Sequence, residues 1–411
     1  MAEPTLIERL AEHLKRPVLK CNRDRARLHL LDWLACVAGA RGSAVAAAAR
    51  RAGPDILERV AYLGNVLEMD DVHRTALLHP GPVVWPAALS AAREVNGSMD
   101  DLLDGAVRGY EAMVAIGATL DAHHYAHWHP TGTAGGFGGA AAAASIFGLK
   151  REQTIWALGN AGSTACGLWH MRHDDVETKQ LHVAHAALEG LWCARTARGG
   201  MRGPAAILEG TQGLYQAMTR TPKPLVLGEG WRIDEVSFKP WAACRHAHPA
   251  IDCALELRAA GRLVPPFRIE TYADAIAFCD RPDPVTETDA KFSLQHAVAV
   301  IADGRAATPA DFTPEAIAAL APLRAQVTVV EAPEISARYP AHFGARLNGF
   351  ELSDCRGDPE RPVGEAEIVV KMAMLAEWGG LPSSEADRAA ELALRGDDAA
   401  AIVAMLDEWL A

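Results

Sequence analysis

The sequence predicts a mostly α-helical protein: a large all-helical domain that is discontinuous in the chain, and a smaller α+β domain. Up to about residue 262, alanine-rich segments carry apolar residues at helical spacing, and glycine or proline stands at their ends. After Pro265-Pro266, short runs of β-branched residues alternate with helical segments. The final stretch returns to an amphipathic helical pattern, which packs back on the first domain in this prediction.

The chain length agrees with two domains, because 411 residues exceed what one hydrophobic core usually organises. We therefore predict a helical domain over 1–262 and 383–411 and an α+β lid domain over 263–382. The predicted helices are 28–50, 84–95, 99–120, 135–149, 181–198, 249–260, 289–302, 314–320 and 383–410, and the predicted strands are 268–273, 326–331, 346–352 and 366–372.

Composition and charge exclude several classes of function. The net charge of −12 disfavours nucleic acid and anionic membranes as partners. No uncharged apolar run reaches the roughly 18 residues that a membrane span needs. The N-terminus, Met1-Ala2-Glu3-Pro4, lacks a signal-peptide pattern, and the eight cysteines form no CxxC pair. We expect a cytoplasmic protein with reduced thiols, in which an anionic substrate needs a locally positive pocket.

Acidic residues and histidines are concentrated between residues 68 and 79. Glu68, Asp71 and His73 lie in Glu68-Met69-Asp70-Asp71-Val72-His73, and His79-Pro80-Gly81-Pro82 follows. A carboxylate beside an imidazole fixes its tautomer and raises its basicity, as a general base requires. The plainer interpretation is a set of helix-capping acids with solvated histidines.

A second segment combines histidines with a predicted helix start. His123-His124-Tyr125-Ala126-His127-Trp128-His129 leads into Pro130-Thr131-Gly132-Thr133. Free backbone N–H groups and the hydroxyls of Thr131 and Thr133 can hold a carboxylate there, beside His129 as a catalytic or binding group. A metal site is the rival, but the histidine spacing does not match HExxH or another known zinc pattern.

Cations occur at two further helix starts. Lys179, in Glu177-Thr178-Lys179-Gln180-Leu181-His182, lies where the helix dipole disfavours a cation, which a bound anion would relieve. A lysine stem covering apolar surface is the alternative. The segment Lys239–His248, here the cationic segment, combines Lys239, Arg245 and His246, and suits a substrate with two or more carboxylates. A basic surface patch is its rival.

These motifs, in this order, resemble the MmgE/PrpD family, which includes 2-methylcitrate dehydratase, cis-aconitate decarboxylase and iminodisuccinate epimerase. The resemblance covers most of the chain. It rests on the acidic segment before His79-Pro80, on H-P-T-G-T-A-G, T-K-x-L-H and K-P-x-x-x-C-R-H-x-H-P-A-I-D, and on Ala290-Lys291-Phe292-Ser293-Leu294-Gln295.

The resemblance implies a discontinuous helical domain, a smaller α+β domain covering the site, a homodimer, no metal or organic cofactor, and di- or tricarboxylate substrates. It aligns His129, Lys179 and His79 with pocket residues, and Lys239 with Arg245-His246 in the second catalytic segment. Two departures stand out. Glu68 replaces the first aspartate of a D-x-D-D-like pattern, and Cys244 stands where the decarboxylase has a catalytic histidine, which disfavours decarboxylation of cis-aconitate.

From this resemblance we expect a cofactor-independent lyase of the dehydratase type, with an isomerase or epimerase as the alternative. A decarboxylase, a metal-dependent hydrolase and a non-catalytic carboxylate binder remain as further alternatives. His129 or His79 would take a proton next to a carboxylate, and Asp71 or Glu68 would orient that imidazole. The other histidine of the two, or His246, would act as the acid. Substrate carboxylates would contact a second set of residues: Lys179, Arg245, Lys239, Thr131, Thr133, His73 and Cys244.

Overall fold

The computed structural model describes residues 3–53, 55–174 and 176–411, and within them the chain divides into two compact units. The helical unit comprises the described residues up to Val66, Asp70–Val236 and Glu365–Ala411. The α+β unit comprises Leu67–Met69 and Ser237–Gly364. The predicted fold class, mostly helical with a discontinuous helical part and a smaller α+β part, is confirmed. Met1 and Ala2 of the N-terminal segment lie outside the described residues.

The first part of the helical unit contains helices of very different length. They are α1 (Leu6–His13), α2 (Lys20–Ala40), α3 (Ala44–Ala52), α4 (Ile56–Val60), α5 (Gly81–Val95), α6 (Met99–Gly117), α7 (Ala122–His127), α8 (Pro130–Ile146), α9 (Arg151–Ser163), α10 (Thr178–Arg198) and α11 (Leu214–Met218), with 3₁₀ helices at Trp169–His173 and Arg232–Glu235.

Helix α8 is buried along almost its whole length and packs against α5, α6 and α10. Small residues make this possible. A Cβ atom on Gly109 of α6 would lie 2.9 Å from the carbonyl oxygen of Gly138, and one on Gly190 of α10 would lie 2.5 Å from that of Gly136. Because α8 begins at Pro130 and α10 at Thr178, this packing positions the residues around His129 and Lys179.

The α+β unit contains a four-stranded sheet in the order β2-β1-β3-β4. The sheet pairs β1 with β2 in parallel and β1 with β3 and β3 with β4 antiparallel. Its elements are α12 (His248–Ala259), β1 (Phe267–Thr271), α13 (Ala273–Cys279), α14 (Glu287–Lys291), α15 (Leu294–Ala302), α16 (Pro314–Ala319), α17 (Ala321–Arg324), β2 (Val327–Glu331), α18 (Pro333–Ser336), β3 (Ala345–Leu347) and β4 (Phe350–Leu352), with 3₁₀ helices at Arg245–Ala247 and Pro309–Phe312.

The chain ends with α19 (Glu365–Trp378), α20 (Ser383–Leu394) and α21 (Ala399–Leu410), which belong to the helical unit. The strand expected over 366–372 is therefore wrong, because these residues are part of α19. Ile368, Met372 and Leu375 recur there at helical spacing and are buried, and Lys371 pairs with Asp32 of α2 at 2.6 Å.

One further predicted strand differs from the structure for a local reason. The single strand expected over 346–352 is a hairpin, because Asn348 and Gly349 adopt positive φ angles of 48° and 84° and reverse the chain between β3 and β4. The boundaries between the two compact units include 236/237 and 364/365, whereas the predicted domain boundaries are 262/263 and 382/383.

Within the described residues, no single helix is both long and apolar enough to cross a membrane. The helices Lys20–Ala40 and Ala44–Ala52, which meet at an angle of 93°, reach that length and apolarity only when taken together.

Candidate functional site

The imidazole of His79 is held through one ring nitrogen. Its Nδ1 lies 2.9 Å from the carboxylate oxygen Oδ2 of Asp70 and 2.9 Å from the backbone oxygen of Asp71. A backbone carbonyl can only accept, so the hydrogen bond to Asp71 assigns the proton to Nδ1 and leaves Nε2 as the proton-accepting nitrogen of the neutral ring, while the Asp70 carboxylate lies at ion-pair distance. Asp70 was not among the predicted site residues, although it lies inside the predicted acidic segment.

The carboxylate of Asp71 has other partners. It accepts from the backbone N–H of Gly81 at 2.8 Å, from the hydroxyl of Tyr110 at 2.6 Å and from Nδ1 of His29 at 2.8 Å. Burial, followed by the charge of Arg25, lowers the pKa of His29 to about 4, so this buried ring is neutral near pH 7. Asp71 thus anchors the start of α5 and orients His79 through its backbone oxygen, whereas its carboxylate faces different groups.

His129 is the residue that precedes α8. Its backbone N–H donates to the carbonyl of Gly167 at 2.7 Å, and the residue is only 2% exposed. Its ring Nδ1 is buried and has no hydrogen-bond partner within residues 3–53, 55–174 and 176–411. Burial lowers the pKa of His129 well below its ordinary value, and nearby Lys179, His182 and His79 lower it further while Asp70 opposes them. The ring is therefore uncharged near neutral pH.

The two threonines of the His-Pro-Thr-Gly-Thr turn have different surroundings. Thr131 Oγ1 accepts a hydrogen bond from the backbone N–H of His79 at 3.1 Å, which ties the two histidine motifs together. Thr133 Oγ1 lies 3.0 Å from Nε2 of His124 and 3.2 Å from the carbonyl oxygen of Cys166. These protein contacts favour a structural role for Thr133 over the predicted contact with substrate.

The first turn of α10 supplies Lys179 and His182. Lys179 is half-buried, and the ring of His182 lies 5.6 Å from that of His129. Nδ1 of His182 is buried with no hydrogen-bond partner among the described residues, and burial lowers the pKa of this residue. His182 lies in the T-K-x-L-H motif, but no role was predicted for it. We call His79, His129 and His182, together with Asp70 and Lys179, the imidazole cluster.

The other histidines of the 123–129 segment lie around Trp128. The rings of His123, His124 and His127 lie 6.0, 5.6 and 5.6 Å from it, and those of His123 and His127 contact each other edge-on at 4.8 Å. His129 instead contacts Trp169 at 4.6 Å. Among the described residues, the ligand-type side chains that converge closely enough for a metal ion are His342, Asp354 and Glu360 of the α+β unit, which are far along the chain from this segment.

His73, predicted to contact substrate, is buried and uses both ring nitrogens within the helical unit. Nδ1 accepts from the backbone N–H of Ala76 at 3.1 Å, so Nε2 carries the proton and donates to Glu235 at 3.2 Å. That hydrogen bond lowers the pKa of Glu235 to about 2, while burial lowers the pKa of His73 itself. This geometry favours a structural role for His73.

In the α+β unit, Lys239 and Glu68 form a buried pair. Lys239 is 0% exposed, and its Nζ lies 3.6 Å from the carboxylate of Glu68. Glu68 adopts a positive φ of 56°, an uncommon conformation for a residue with a side chain. The residue expected to orient an imidazole therefore faces a lysine.

Arg245 is paired inside the α+β unit. Its Nη2 donates to Asp358, which also accepts from the hydroxyl of Ser237 and from the backbone N–H of Cys355 at 3.1 Å. Burial disfavours the charged guanidinium, but the charge of Asp358 outweighs it and raises the pKa of Arg245. The predicted substrate clamp is thus engaged by a carboxylate of the protein.

His246 and Cys244 are also buried among residues of their own unit. Nδ1 of His246 lies 2.8 Å from the hydroxyl of Tyr272, and Phe278 and Phe343 contact the ring at 5.0 and 5.6 Å. The thiols of Cys244 and Cys279 interact; burial, and then this hydrogen bond, raise the pKa of Cys279.

The chain matches two family models, and it is similar to curated enzymes. The MmgE/PrpD N-terminal domain model matches residues 59–226, and the MmgE/PrpD C-terminal domain model matches residues 241–397. Cis-aconitate decarboxylase of Homo sapiens is 26% identical over 272 residues, which is 59% of this chain and 54% of that protein. Cis-aconitate decarboxylase of Aspergillus terreus is 28% identical over 210 residues, which is 46% of this chain and 42% of that protein. The chain spans about half the length of these relatives.

Proposed function

Because the chain belongs to the MmgE/PrpD family, we propose that it is a cofactor-independent lyase of the dehydratase type, acting on a small di- or tricarboxylate. The reaction would begin with removal of a proton next to a substrate carboxylate. The observation that carries this proposal is the Asp70–His79 pair, with Nδ1 of His79 held at 2.9 Å from two acceptors.

His79 is the proposed base. An imidazole whose Nδ1 proton is held by acceptors presents Nε2 to a substrate, and the buried carboxylate of Asp70 stabilises the imidazolium that forms when Nε2 takes a proton. Such a positioned base typically contributes about 10² to 10⁴ to the rate. His129 is the less suitable base of the two, because burial and its positive neighbours lower its pKa and so weaken its hold on a proton.

Lys179 and His129 are the proposed partners of the developing negative charge. A proton next to a carboxylate is a very weak acid, so the site must stabilise the enolate-like anion with groups already in place. Lys179 is near enough to influence the protonation of His129. Neutral His129 can donate one N–H without carrying charge, as a hydrogen-bonding partner of the anion. In a dehydration, a protonated group must then assist departure of the hydroxide.

The predicted roles of the residues in the α+β unit remain proposals. The contacts of each side chain indicate which of these residues is best suited to binding substrate. Lys239, buried beside Glu68, is a candidate for binding a second carboxylate. Arg245, paired with Asp358, is better suited to holding the segment 355–358 than to gripping substrate. His246 is the proposed acid with the weakest support, because aromatic rings and Tyr272 surround it.

Two alternatives start from the same base. An epimerase would return a proton to the opposite face of the carbon, and the second imidazole, His129, makes this the leading alternative. The relatives named cis-aconitate decarboxylase suggest loss of CO₂ instead. Against that stands Cys244, which replaces the histidine of the decarboxylase pattern and lies with Cys279 in a buried thiol pair.

Proton NMR in D₂O tests the reaction type. The enzyme is incubated in turn with citrate, 2-methylcitrate, cis-aconitate, malate, tartrate and iminodisuccinate. Deuterium entering next to a carboxylate together with a new alkene signal supports the dehydratase. Exchange with inversion and no alkene supports the epimerase, and release of CO₂ supports the decarboxylase. No change with any substrate, from folded protein, contradicts the proposal for these substrates.

The two remaining alternatives need separate measurements. A metal-dependent hydrolase would contain stoichiometric metal and lose activity on chelation, so elemental analysis and activity before and after chelation distinguish it from the proposed lyase. A non-catalytic carboxylate binder would show a ligand-induced thermal shift without consuming any member of the panel.

We also propose a cytoplasmic homodimer. The outward face of α10 presents Leu181 and Trp192, which are 51% and 54% exposed, and Leu188 lies between them at helical spacing. A second copy of the chain would remove this apolar stripe from water. Light scattering coupled to gel filtration should give twice the mass of 43.9 kDa, and Trp192→Glu should shift it to the monomer.

A further inference from the structure

Three ring nitrogens without partners lie close together in the imidazole cluster. They are Nδ1 of His129, Nδ1 of His182 and Nε1 of Trp169, all buried and without a hydrogen-bond partner in the described part of the chain. The ring of Trp169 lies 4.6 Å from that of His129, and the ring of His182 lies 5.6 Å from it on α10. A buried polar atom left unpaired is destabilising, so three of them on neighbouring rings require a physical explanation.

We propose that Trp169 and His182 are substrate-binding residues that, with His129, form a subsite for one carboxylate of the substrate. This inference deepens the proposed function and rests on it for the identity of the ligand class. A carboxylate offers about four acceptor positions on two oxygens, which suits N–H groups on several neighbouring rings. The indole Nε1 can only donate, so its natural partner is an acceptor such as a carboxylate oxygen.

The backbone that positions Trp169 requires glycine at residues 167 and 132. The carbonyl of Gly167 accepts from His129 N–H at 2.7 Å, and Gly167 has a φ of +110°, which residues with a side chain rarely adopt. A Cβ atom on Gly132 would lie 3.0 Å from the carbonyl oxygen of Cys166. These close approaches hold the start of the Trp169–His173 helix against the start of α8.

Trp169 is also fixed from its surroundings. The guanidinium carbon of Arg172 lies 5.3 Å from the centroid of the Trp169 ring, and Tyr125 contacts the ring edge-on at 6.3 Å. The cation–π contact keeps a positive charge near the subsite, and Lys179 supplies another on α10. An anion beside the His129 ring would therefore meet N–H donors together with the positive charges of Arg172 and Lys179.

The charge state of the rings supports the same ligand class. Burial lowers the pKa of both His129 and His182, so in the absence of an anion each ring is neutral near pH 7 and carries one N–H. Neutral donors bind a carboxylate without leaving a buried, uncompensated cation in the empty site.

The test is binding of two unreactive carboxylates, succinate and tricarballylate, measured by calorimetry on the full-length chain. Trp169→Phe keeps an aromatic ring beside His129 but removes the indole N–H. His170→Ala is the matched control, because His170 lies in the same 3₁₀ helix with its side chain 84% exposed. We expect Trp169→Phe and His182→Phe each to raise the Kd by about tenfold or more, as loss of a hydrogen bond to a charged group predicts, with His170→Ala unchanged.

Two results would overturn the subsite: wild-type affinity in Trp169→Phe, or no saturable binding of either acid to the wild-type chain. Thermal unfolding of each variant shows whether it is folded. If Trp169→Phe is not folded, Trp169→Tyr replaces it. Binding is measured without turnover, so the subsite and the reaction can fail separately. Weakened binding in Trp169→Phe, combined with no turnover of any member of the substrate panel, supports the subsite and rejects the lyase.

Discussion

The imidazole cluster of the helical unit and the cationic segment of the α+β unit contain similar side chains in different circumstances. In the helical unit, His129 and His182 each keep a buried ring nitrogen that has no hydrogen-bond partner among the described residues. In the α+β unit, Arg245 is paired with Asp358, and Lys239 lies beside Glu68. The cationic segment drew attention through its charges, but these two cations face carboxylates of the protein, whereas the two imidazoles are buried without a carboxylate partner of that kind in the described part of the chain.

The difference separates two uses of buried polar groups. A buried charge without a partner is very costly, so an arginine inside a unit acquires a carboxylate and then serves the fold. Leaving a buried neutral imidazole without a hydrogen bond costs much less free energy, so such a ring can stay unpaired until a ligand binds. Catalytic residues are therefore better sought among buried neutral donors than among the densest charges.

The largest expected effect on activity comes from replacing His79, the proposed base of the imidazole cluster. His79→Asn keeps an amide donor near the position of Nδ1, facing Asp70, but has no equivalent of Nε2. We expect a loss of about 10² to 10⁴ in kcat with nearly unchanged thermal unfolding. Steady-state kinetics with the substrate found by NMR gives the answer, and His170→Ala is the control. Near-normal turnover in His79→Asn would remove His79 as the base.

Replacing Arg245 tests the other side of the comparison. Arg245→Met leaves the buried carboxylate of Asp358 without its cation, so we expect a loss of about 3–5 kcal/mol in unfolding free energy. Arg245→Met combined with Asp358→Asn should recover part of it, because no charge is then left unpaired. Denaturant unfolding measures both. A stable Arg245→Met variant with a greatly increased KM would instead restore Arg245 as a substrate clamp.

Asp70→Asn tests whether the charge of Asp70 supports His79 as the base within the helical unit. The backbone oxygen of Asp71 still accepts from Nδ1 of His79, so the ring keeps its proton position. The imidazolium loses its compensating charge, and we expect kcat to fall about 10- to 100-fold with KM little changed. The variant should also shift the acid limb of the pH–rate profile. An unchanged profile would show that Asp70 serves only the fold.

Replacing His29 tests the buried neutral histidine through the pH dependence of stability, with no change expected in catalysis. Its pKa is about 4 in the folded chain, below the unfolded value, so the folded state binds fewer protons between these values. The resulting stability is fully present above about pH 6.5 and is lost as the pH falls toward about 4, at up to about 1.4 kcal/mol per pH unit. His29→Asn should flatten this dependence in denaturant unfolding at several pH values. A slope equal to that of the wild type would contradict the buried neutral histidine.

The sequence predicted the elements with strong local patterns better than those whose conformation depends on neighbours. The strands around 268–271 and 327–331 follow β-branched runs, and the structure has them as β1 and β2. The 366–372 segment has a similar composition, yet it is helical because Ile368 and Met372 share a buried face and Lys371 meets Asp32 across the fold. Local β propensity was outweighed by packing and by an ion pair distant in sequence.

The candidate site shows the same division. The motifs identified His79, His129 and Lys179 because imidazoles and a cation at helix starts are locally conspicuous. Asp70 was present in the acidic segment, but adjacent carboxylates look alike in sequence, and only the fold turns one toward His79 and the next toward Tyr110 and His29. Trp169 had no local signal, because its importance comes from contact with a residue 40 positions earlier.

By itself, the sequence determined the helical class, the discontinuous arrangement, the family and the motifs that carry the chemistry, because these depend on residue type and spacing along the chain. Tertiary structure alone decided which atoms of those motifs are already used. Hydrogen bonds and ion pairs join residues far apart in sequence, such as Arg245 with Asp358, and a side chain engaged by the protein is chemically different from the same side chain awaiting a ligand.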